Sequence, residues 1–240
     1  MRLDSQAVDG GLCRVAGKFI TFEGGEGAGK STQIKRLQTR LENAGVQALA
    51  TREPGGTAGA EMVRKVLLSG AARVYGPEAE AVLFSAARAD HIDTLIKPAL
   101  AQGTWVLCDR FADSSRVYQG EAGVSDVLIE QLQTLAIDGQ VPDLTILIDV
   151  PTEVGLSRVT TRSEQGVDHA PDRFEQDTLE THERRRQLFL EIAKNAPERF
   201  VVVDGSQTLD DVEEAVWRAV NDRLGVHLPV SAQKGSGSDG

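Results

Sequence analysis

Gly24-Gly25-Glu26-Gly27-Ala28-Gly29-Lys30-Ser31 is the stretch of this chain whose residue types and spacing speak most directly of chemistry, because it meets the pattern G-x-x-x-x-G-K-[ST] in full. Glycines let the backbone turn tightly, so that successive N–H groups converge on phosphate oxygens, and a helix starting at the loop turns its positive end toward the same anion. In such a loop Lys30 reaches the β- and γ-phosphates of a nucleotide and Ser31 holds Mg2+. Gly24, Glu26, Gly27, Ala28, Gly29 and Thr32 complete the candidate nucleotide-binding set. A second pair, Asp109-Arg110, follows the apolar run Trp105 to Cys108. This places a carboxylate and a guanidinium at the carboxyl edge of a buried strand, where open α/β sheets gather ligands. Asp109 can organise Mg2+ or accept a proton, and Arg110 can fork onto a second phosphate.

The elements that must position these groups are legible as short apolar runs alternating with segments of helical period, the pattern of a parallel sheet covered by helices. The strand candidates are Lys18 to Phe22, Val46 to Ala50, Thr104 to Cys108, Leu144 to Val150 and Phe200 to Val203. Ile34, Leu37, Leu41 and Ala44 recur at helical spacing directly after the phosphate loop, with Gly45 at the expected C-terminal stop. Leu209, Val212, Val216, Val220 and Leu224 mark a closing amphipathic helix that opens on Thr208 and two aspartates. Residues 1–17 and 226–240 read as flexible extensions around one domain, 18–225.

The chain has 240 residues, of which 26 are Lys or Arg and 36 Asp or Glu, for a net charge of −10. That balance argues against a broad electrostatic grip on nucleic acid or anionic lipid, so any phosphate must be met by locally concentrated cations. Cys13 and Cys108 make no disulfide framework, and the expected setting is a reducing cytoplasm. No apolar stretch approaches a bilayer span, and the first residues lack the apolar centre of a signal peptide. His91, His169, His182 and His227 match no metal spacing and read as surface or loop residues. Arg184, Arg185 and Arg186 read as a solvated helix face.

Three further clusters look built for a ligand. Thr51-Arg52-Glu53-Pro54-Gly55-Gly56-Thr57 sets rigid and permissive residues side by side after a strand, and Arg64 stands one to two turns into the following helix. Phe84 and Arg88 are four apart, on one side of a helix. Ser114-Ser115-Arg116-Val117-Tyr118-Gln119-Gly120 offers hydroxyl and amide groups suited to a small polar ring. Taken with FEGGEGAGKST, TREPGGT, FSAARADH, DRFADSSRVYQG, PDLTILIDV and DRFE, these segments resemble the bacterial thymidylate kinases over about residues 18 to 224. The sequence departs from that pattern at Phe111, where Tyr or His is usual, and at Arg116-Val117, where a small or apolar pair is usual.

The resemblance implies a three-layer P-loop kinase fold, a five-stranded parallel sheet flanked by helices with a mobile lid over about residues 158–174. It implies phosphoryl transfer from ATP to dTMP with Mg2+, a step of dTTP synthesis, and a homodimer packed through helices between about residues 60 and 140. It assigns Phe84, Arg88, Ser115 and Gln119 to the thymidine pocket, and Arg64 and Arg110 to the acceptor phosphate. Glu53 falls near the sugar or the acceptor's metal and water, Asp109 at the Mg2+ site, and Tyr118 near the sugar, where it could exclude a 2′-hydroxyl. Glu26, in place of a loop arginine, points to the subtype whose catalytic arginines come from the lid, here Arg158, Arg162 and Arg173. Two other readings stand beside it: a P-loop ATPase or nucleotide switch, and a kinase of a related acceptor such as dUMP.

Overall fold

The computed structural model describes residues 17–164, 174 and 177–225. Both expected terminal extensions fall almost wholly outside these residues, as does most of the expected lid, including Arg173.

Five strands, β1 (Phe19–Glu23), β2 (Ala48–Arg52), β3 (Trp105–Asp109), β4 (Leu144–Asp149) and β5 (Phe200–Asp204), form one sheet in the order β2-β3-β1-β4-β5. Every pairing is parallel. The strand expectations are met within two residues at either end. Helices α1 (Lys30–Asn43), α2 (Ala58–Leu68), α3 (Pro77–His91), α4 (Lys97–Ala101), α5 (Ala112–Glu121), α6 (Asp126–Ile137), α7 (Thr152–Glu164), α8 (Leu179–Asn195) and α9 (Leu209–Leu224) supply the crossovers and the covering layers. A 3-10 turn over Ala71–Tyr75 precedes α3, and a π-helical turn over Ile92–Ile96 joins it to α4.

β1 is central, and its period-two alternation divides the core. Ile20 and Phe22 pack with Ile34, Leu37 and Leu41 of α1 and with Val212, Val216 and Val220 of α9 on one face. Phe19 packs on the other face with Ile92, Ile96, Val106 and Phe111, its ring edge-on to that of Phe111 at 5.0 Å. On that same alternation Thr21 meets Thr145 at 2.8 Å, and Glu23, the last residue of the strand, is directed into the protein.

Strands β2 and β3 are laid on one side of β1 and β4 and β5 on the other, so the strand order reverses there and the crevice outside the carboxyl ends of β1, β3 and β4 is the topological switch point of the sheet. The phosphate loop leaves β1 into that crevice, Asp109 ends β3 there, and Thr51 to Thr57 follow β2 into it.

Candidate active site

Gly29 caps α1 in the left-handed conformation, at φ 98°, and no side chain closes the helix start. The opening N–H groups are therefore available to an anion. Gly27 also has positive φ, and a Cβ there would stand 2.0 Å from the Gly155 carbonyl. A Cβ on Gly155 would in turn lie 2.4 Å from the Glu26 carbonyl, so α7 touches the phosphate loop backbone to backbone. Lys30 is buried and folds back along the loop, donating to the carbonyls of Gly24 at 3.1 Å and Gly25 at 2.9 Å. Burial, followed by the neighbouring Arg110, holds its ammonium below the usual lysine range.

Ser31 donates its hydroxyl to Asp109 Oδ2 at 2.6 Å, joining the helix start to the end of β3. One hydroxyl and one carboxylate at the mouth of a phosphate loop are hard oxygen donors that suit Mg2+, which keeps several waters and takes its other ligands from phosphate. No group of three or more His, Cys, Asp or Glu that could hold a metal occurs among the described residues.

Arg110 and Tyr118 converge on a single oxygen, Glu26 Oε1, at 2.7 and 2.8 Å. Burial would raise the Glu26 carboxyl, but Arg110, Lys30 and the Tyr118 hydroxyl together bring it down to about 2. Arg110 also donates to the Gly24 carbonyl and to Ser114, so it is held from three sides at φ 67°. Below this network Glu23 accepts from the backbone N–H of Phe111 at 2.8 Å and from the Ser114 hydroxyl at 2.6 Å. The start of α5 has no cap of its own, and Glu23 supplies one from another element. Burial first, and the nearby Asp113 second, push the Glu23 carboxyl up to about 7 against the opposing pull of Ser114 and Arg110.

The cleft has a volume of about 1100 Å3 and reaches from the phosphate loop to α3 and α5. Phe84, Arg88, Ser115, Tyr118 and Gln119 all line it, as do Glu53 and Arg64. Arg88 is buried and is held by Glu53 Oε2 at 2.7 Å, the Phe111 carbonyl at 3.1 Å and Ser115 Oγ at 3.1 Å. His91 meets the other oxygen of Glu53 at 3.1 Å and Thr51 at 2.8 Å, fixing that carboxylate from behind. Arg64 donates to the Pro54 carbonyl at 2.7 Å. Gln119 is buried and its Oε1 has no hydrogen-bond partner, an acceptor that a ligand N–H entering the cleft can satisfy. Phe174 stands 6.4 Å from Phe84 and edge-on to Tyr118 at 5.5 Å, closing the same end of the cleft.

The structure brings together Gly27, Ala28, Gly29, Lys30, Ser31, Thr32, Glu26, Asp109 and Arg110 with the cleft residues above, while Gly24 contributes its carbonyl from beneath. Of the lid arginines, Arg162 lines the cleft. Arg158, one turn earlier on α7, donates to the Gly205 carbonyl at 3.1 Å instead, and Arg173 lies outside the described residues.

Two sequence expectations are corrected. His91 and His182 are buried in α3 and α8, not at the surface, while His169 and His227 lie outside the described residues. The arginine run is not one solvated face: only Arg184 is well exposed, Arg186 grips Asp149 through two nitrogens, and Arg185 is buried against Tyr118. Helical rotation points the three apart, and two of the three directions meet protein. Glu23, His91, Gly155 and Phe174 escaped sequence reasoning. The acidic end of β1, facing a helix that lacks its own cap, was the one signal that could have found Glu23.

The family described as Thymidylate kinase matches residues 22–216. The chain is 53% identical over 217 residues to a thymidylate kinase of Bradyrhizobium diazoefficiens, covering 90% of this chain and 92% of that one. It is 51% identical over 208 residues to a thymidylate kinase of Nitrobacter winogradskyi, covering 86% and 89% of the two chains. A thymidylate kinase of Rhodopseudomonas palustris is 51% identical over 210 residues, covering 87% and 90%.

Proposed function

The chain belongs to the thymidylate kinase family, and from that premise we propose how its own residues move a phosphoryl group from ATP to dTMP, giving ADP and dTDP. The observation that carries the reading is one continuous cleft with a phosphate loop at one end and the Phe84, Arg88 and Gln119 pocket at the other. A switch or simple ATPase has no use for that second pocket.

In this reading the backbone N–H groups from Gly27 to Ser31 cradle the ATP phosphates, and Lys30 exchanges its two loop carbonyls for phosphate oxygens. Ser31 and Asp109 would hold Mg2+, which when bound would supply neutralising charge to the nucleotide's phosphates. The thymine lies on Phe84, with Arg88, Ser115 and Gln119 reading its edge, and Arg64 and Arg110 hold the dTMP phosphate. Glu53 keeps Arg88 in place and stands near the sugar. Tyr118, packed beside the sugar, is the group that a 2′-hydroxyl would meet.

An oxygen of the dTMP phosphate then forms a bond to the γ-phosphorus of ATP while the bond from that phosphorus to the β–γ bridging oxygen breaks, and the electron pair leaves with ADP. Catalysis is positioning plus cations on the migrating charge, supplied by Lys30, Arg110 and Arg162, with Arg173 a further lid candidate and Arg158 able to join only by leaving the Gly205 carbonyl. Incubation with γ-labelled ATP and dTMP tests the reading: label should appear in dTDP, whereas label released only as inorganic phosphate would contradict it.

The same premise supports a homodimer. Met62 and Val66 of α2, Val82 of α3, and Val127 and Leu135 of α6 are apolar and exposed, on the helices expected to pack against a second copy. Sedimentation at micromolar concentration should give twice the chain mass. No helix among the described residues is long and apolar enough to cross a membrane, and a cytoplasmic setting suits an enzyme of nucleotide synthesis.

A further inference from the structure

Tyr118 carries more contacts than a pocket wall needs. Its hydroxyl is spent on Glu26, and two guanidinium groups pack on its ring: Arg110 at 4.9 Å from the ring centre and Arg185 at 4.6 Å. Arg110 belongs to the site described above. Arg185 comes from α8, a helix that contributes no residue to the cleft lining, and its side chain is only 7% exposed, packed behind the Tyr118 ring. Its Nη2 takes two carboxylates, Asp177 at 2.8 Å and Glu121 at 3.2 Å. Nε and Nη1 have no hydrogen-bond partner among the described residues.

A buried arginine that leaves two nitrogens without an oxygen partner gives up hydrogen bonds worth making. What it gains here is aromatic: the ring of Tyr118 at 4.6 Å, with Phe174 at 6.0 Å. Guanidinium groups are planar and weakly hydrated, so they stack on ring faces where an ammonium does not. The two ion pairs fix the guanidinium from the side of α5 and the start of α8, leaving its plane for the rings.

We propose that Arg185 is a positioning residue for the acceptor pocket: laid on the Tyr118 ring and anchored by Glu121 and Asp177, it sets where that ring stands, and through it how Glu26 and Arg110 are presented. The consequence for turnover rests on the reading of Arg110 as a ligand of the acceptor phosphate. The consequence for the ring does not.

The chain has two tyrosines, and Tyr75 is exposed outside the cleft, so in a Tyr75→Phe background Tyr118 is the only tyrosine signal. With 13C-tyrosine labelling and no nucleotide present, Arg185→Gln and Arg185→Lys should both move its ring resonances. Lysine retains the charge for Glu121 and Asp177, which keeps the chain folded, but offers no flat face. In kinetics the KM for dTMP should rise roughly tenfold in both variants while the KM for ATP stays within about twofold. Unmoved ring signals in Arg185→Gln would overturn the proposal, as would complete rescue by lysine, which would reduce the residue to a charge partner. An equal rise in both KM values, with a lowered thermal midpoint, would also overturn it. The ring signal is read without substrate, so it decides the positioning claim even if the protein proved to phosphorylate another acceptor.

Discussion

Arg110 donates to Glu26 Oε1 at 2.7 Å, a partly buried ion pair that ties the residue after β3 to the middle of the phosphate loop. On the proposed reading the pair links the two ends of the reaction, the loop holding the donor nucleotide and Arg110 the acceptor phosphate. Arg110→Ala should therefore lower kcat/KM for dTMP by about 100-fold or more with the fold intact. Arg110→Lys should recover little of it, since an ammonium cannot span Glu26, Ser114 and a phosphate at once. Steady-state kinetics beside a circular dichroism spectrum checks this, and near-normal turnover in the alanine variant would remove Arg110 from the phosphate site.

Glu23 and Glu26 give the pH dependence of stability opposite signs. Glu23 is raised from 4.5 to about 7, so its contribution to folding is fully present below pH 4.5 and is lost as pH rises through 7. The difference amounts to about 3 kcal/mol at most. Glu26 is lowered to about 2, so its contribution is present above pH 4.5 and is lost as pH falls toward 2. Urea unfolding at pH 4.5 and 8 should show the parent protein losing stability relative to Glu23→Gln as pH rises. A gap that does not change with pH would mean that Glu23 titrates alike in the folded and unfolded chain.

Gly155→Ala tests the contact between α7 and the phosphate loop. The added methyl would meet the Glu26 carbonyl at 2.4 Å, and backbone cannot swing aside as a side chain can. The expected result is a loss of roughly 1–3 kcal/mol in stability and a raised KM for ATP, with the KM for dTMP affected less. An alanine variant indistinguishable from the parent would show that the loop and α7 separate freely.

How much of this was legible in the sequence follows from how far apart the cooperating residues lie. The phosphate loop is continuous from Gly24 to Ser31, and its pattern names its own chemistry. Phe84 with Arg88, and Asp109 with Arg110, sit within one helical turn or one step of chain, so local spacing puts the first pair on one side of a helix and the second at one strand end. Glu23 meets Ser114 across 91 positions, and His91 meets Glu53 across 38. No local period encodes such meetings; they follow from strand order, which only the folded sheet supplies. Arg185 was misread for the same reason, because a charged run looks like a solvated face until Tyr118 and Phe174 are seen to cover part of it.

Phe84→Ala should raise the KM for dTMP by about tenfold or more and leave the KM for ATP within about twofold, because the proposed reading puts the ring under the thymine, at the end of the cleft away from the phosphate loop. The preference for dTMP over dUMP rests on one methyl group, about 1–3 kcal/mol, so dUMP should be a measurable but weaker substrate of the parent protein. Competition between the two acceptors in one reaction reads that ratio directly, and a parent protein that favours dUMP would require a different base pocket.

The central claim is that ATP cleavage is coupled to a thymidylate acceptor, and ADP production measured with ATP and Mg2+ over dTMP, dUMP, UMP, dCMP, AMP, GMP, thymidine and no acceptor tests it most directly. Strong turnover is expected with dTMP, weaker turnover with dUMP and background elsewhere. Equal ADP release with and without acceptor would contradict it, leaving Lys30 and Ser31 as the nucleotide site of an ATPase and the Phe84, Arg88 and Gln119 pocket without its assigned ligand.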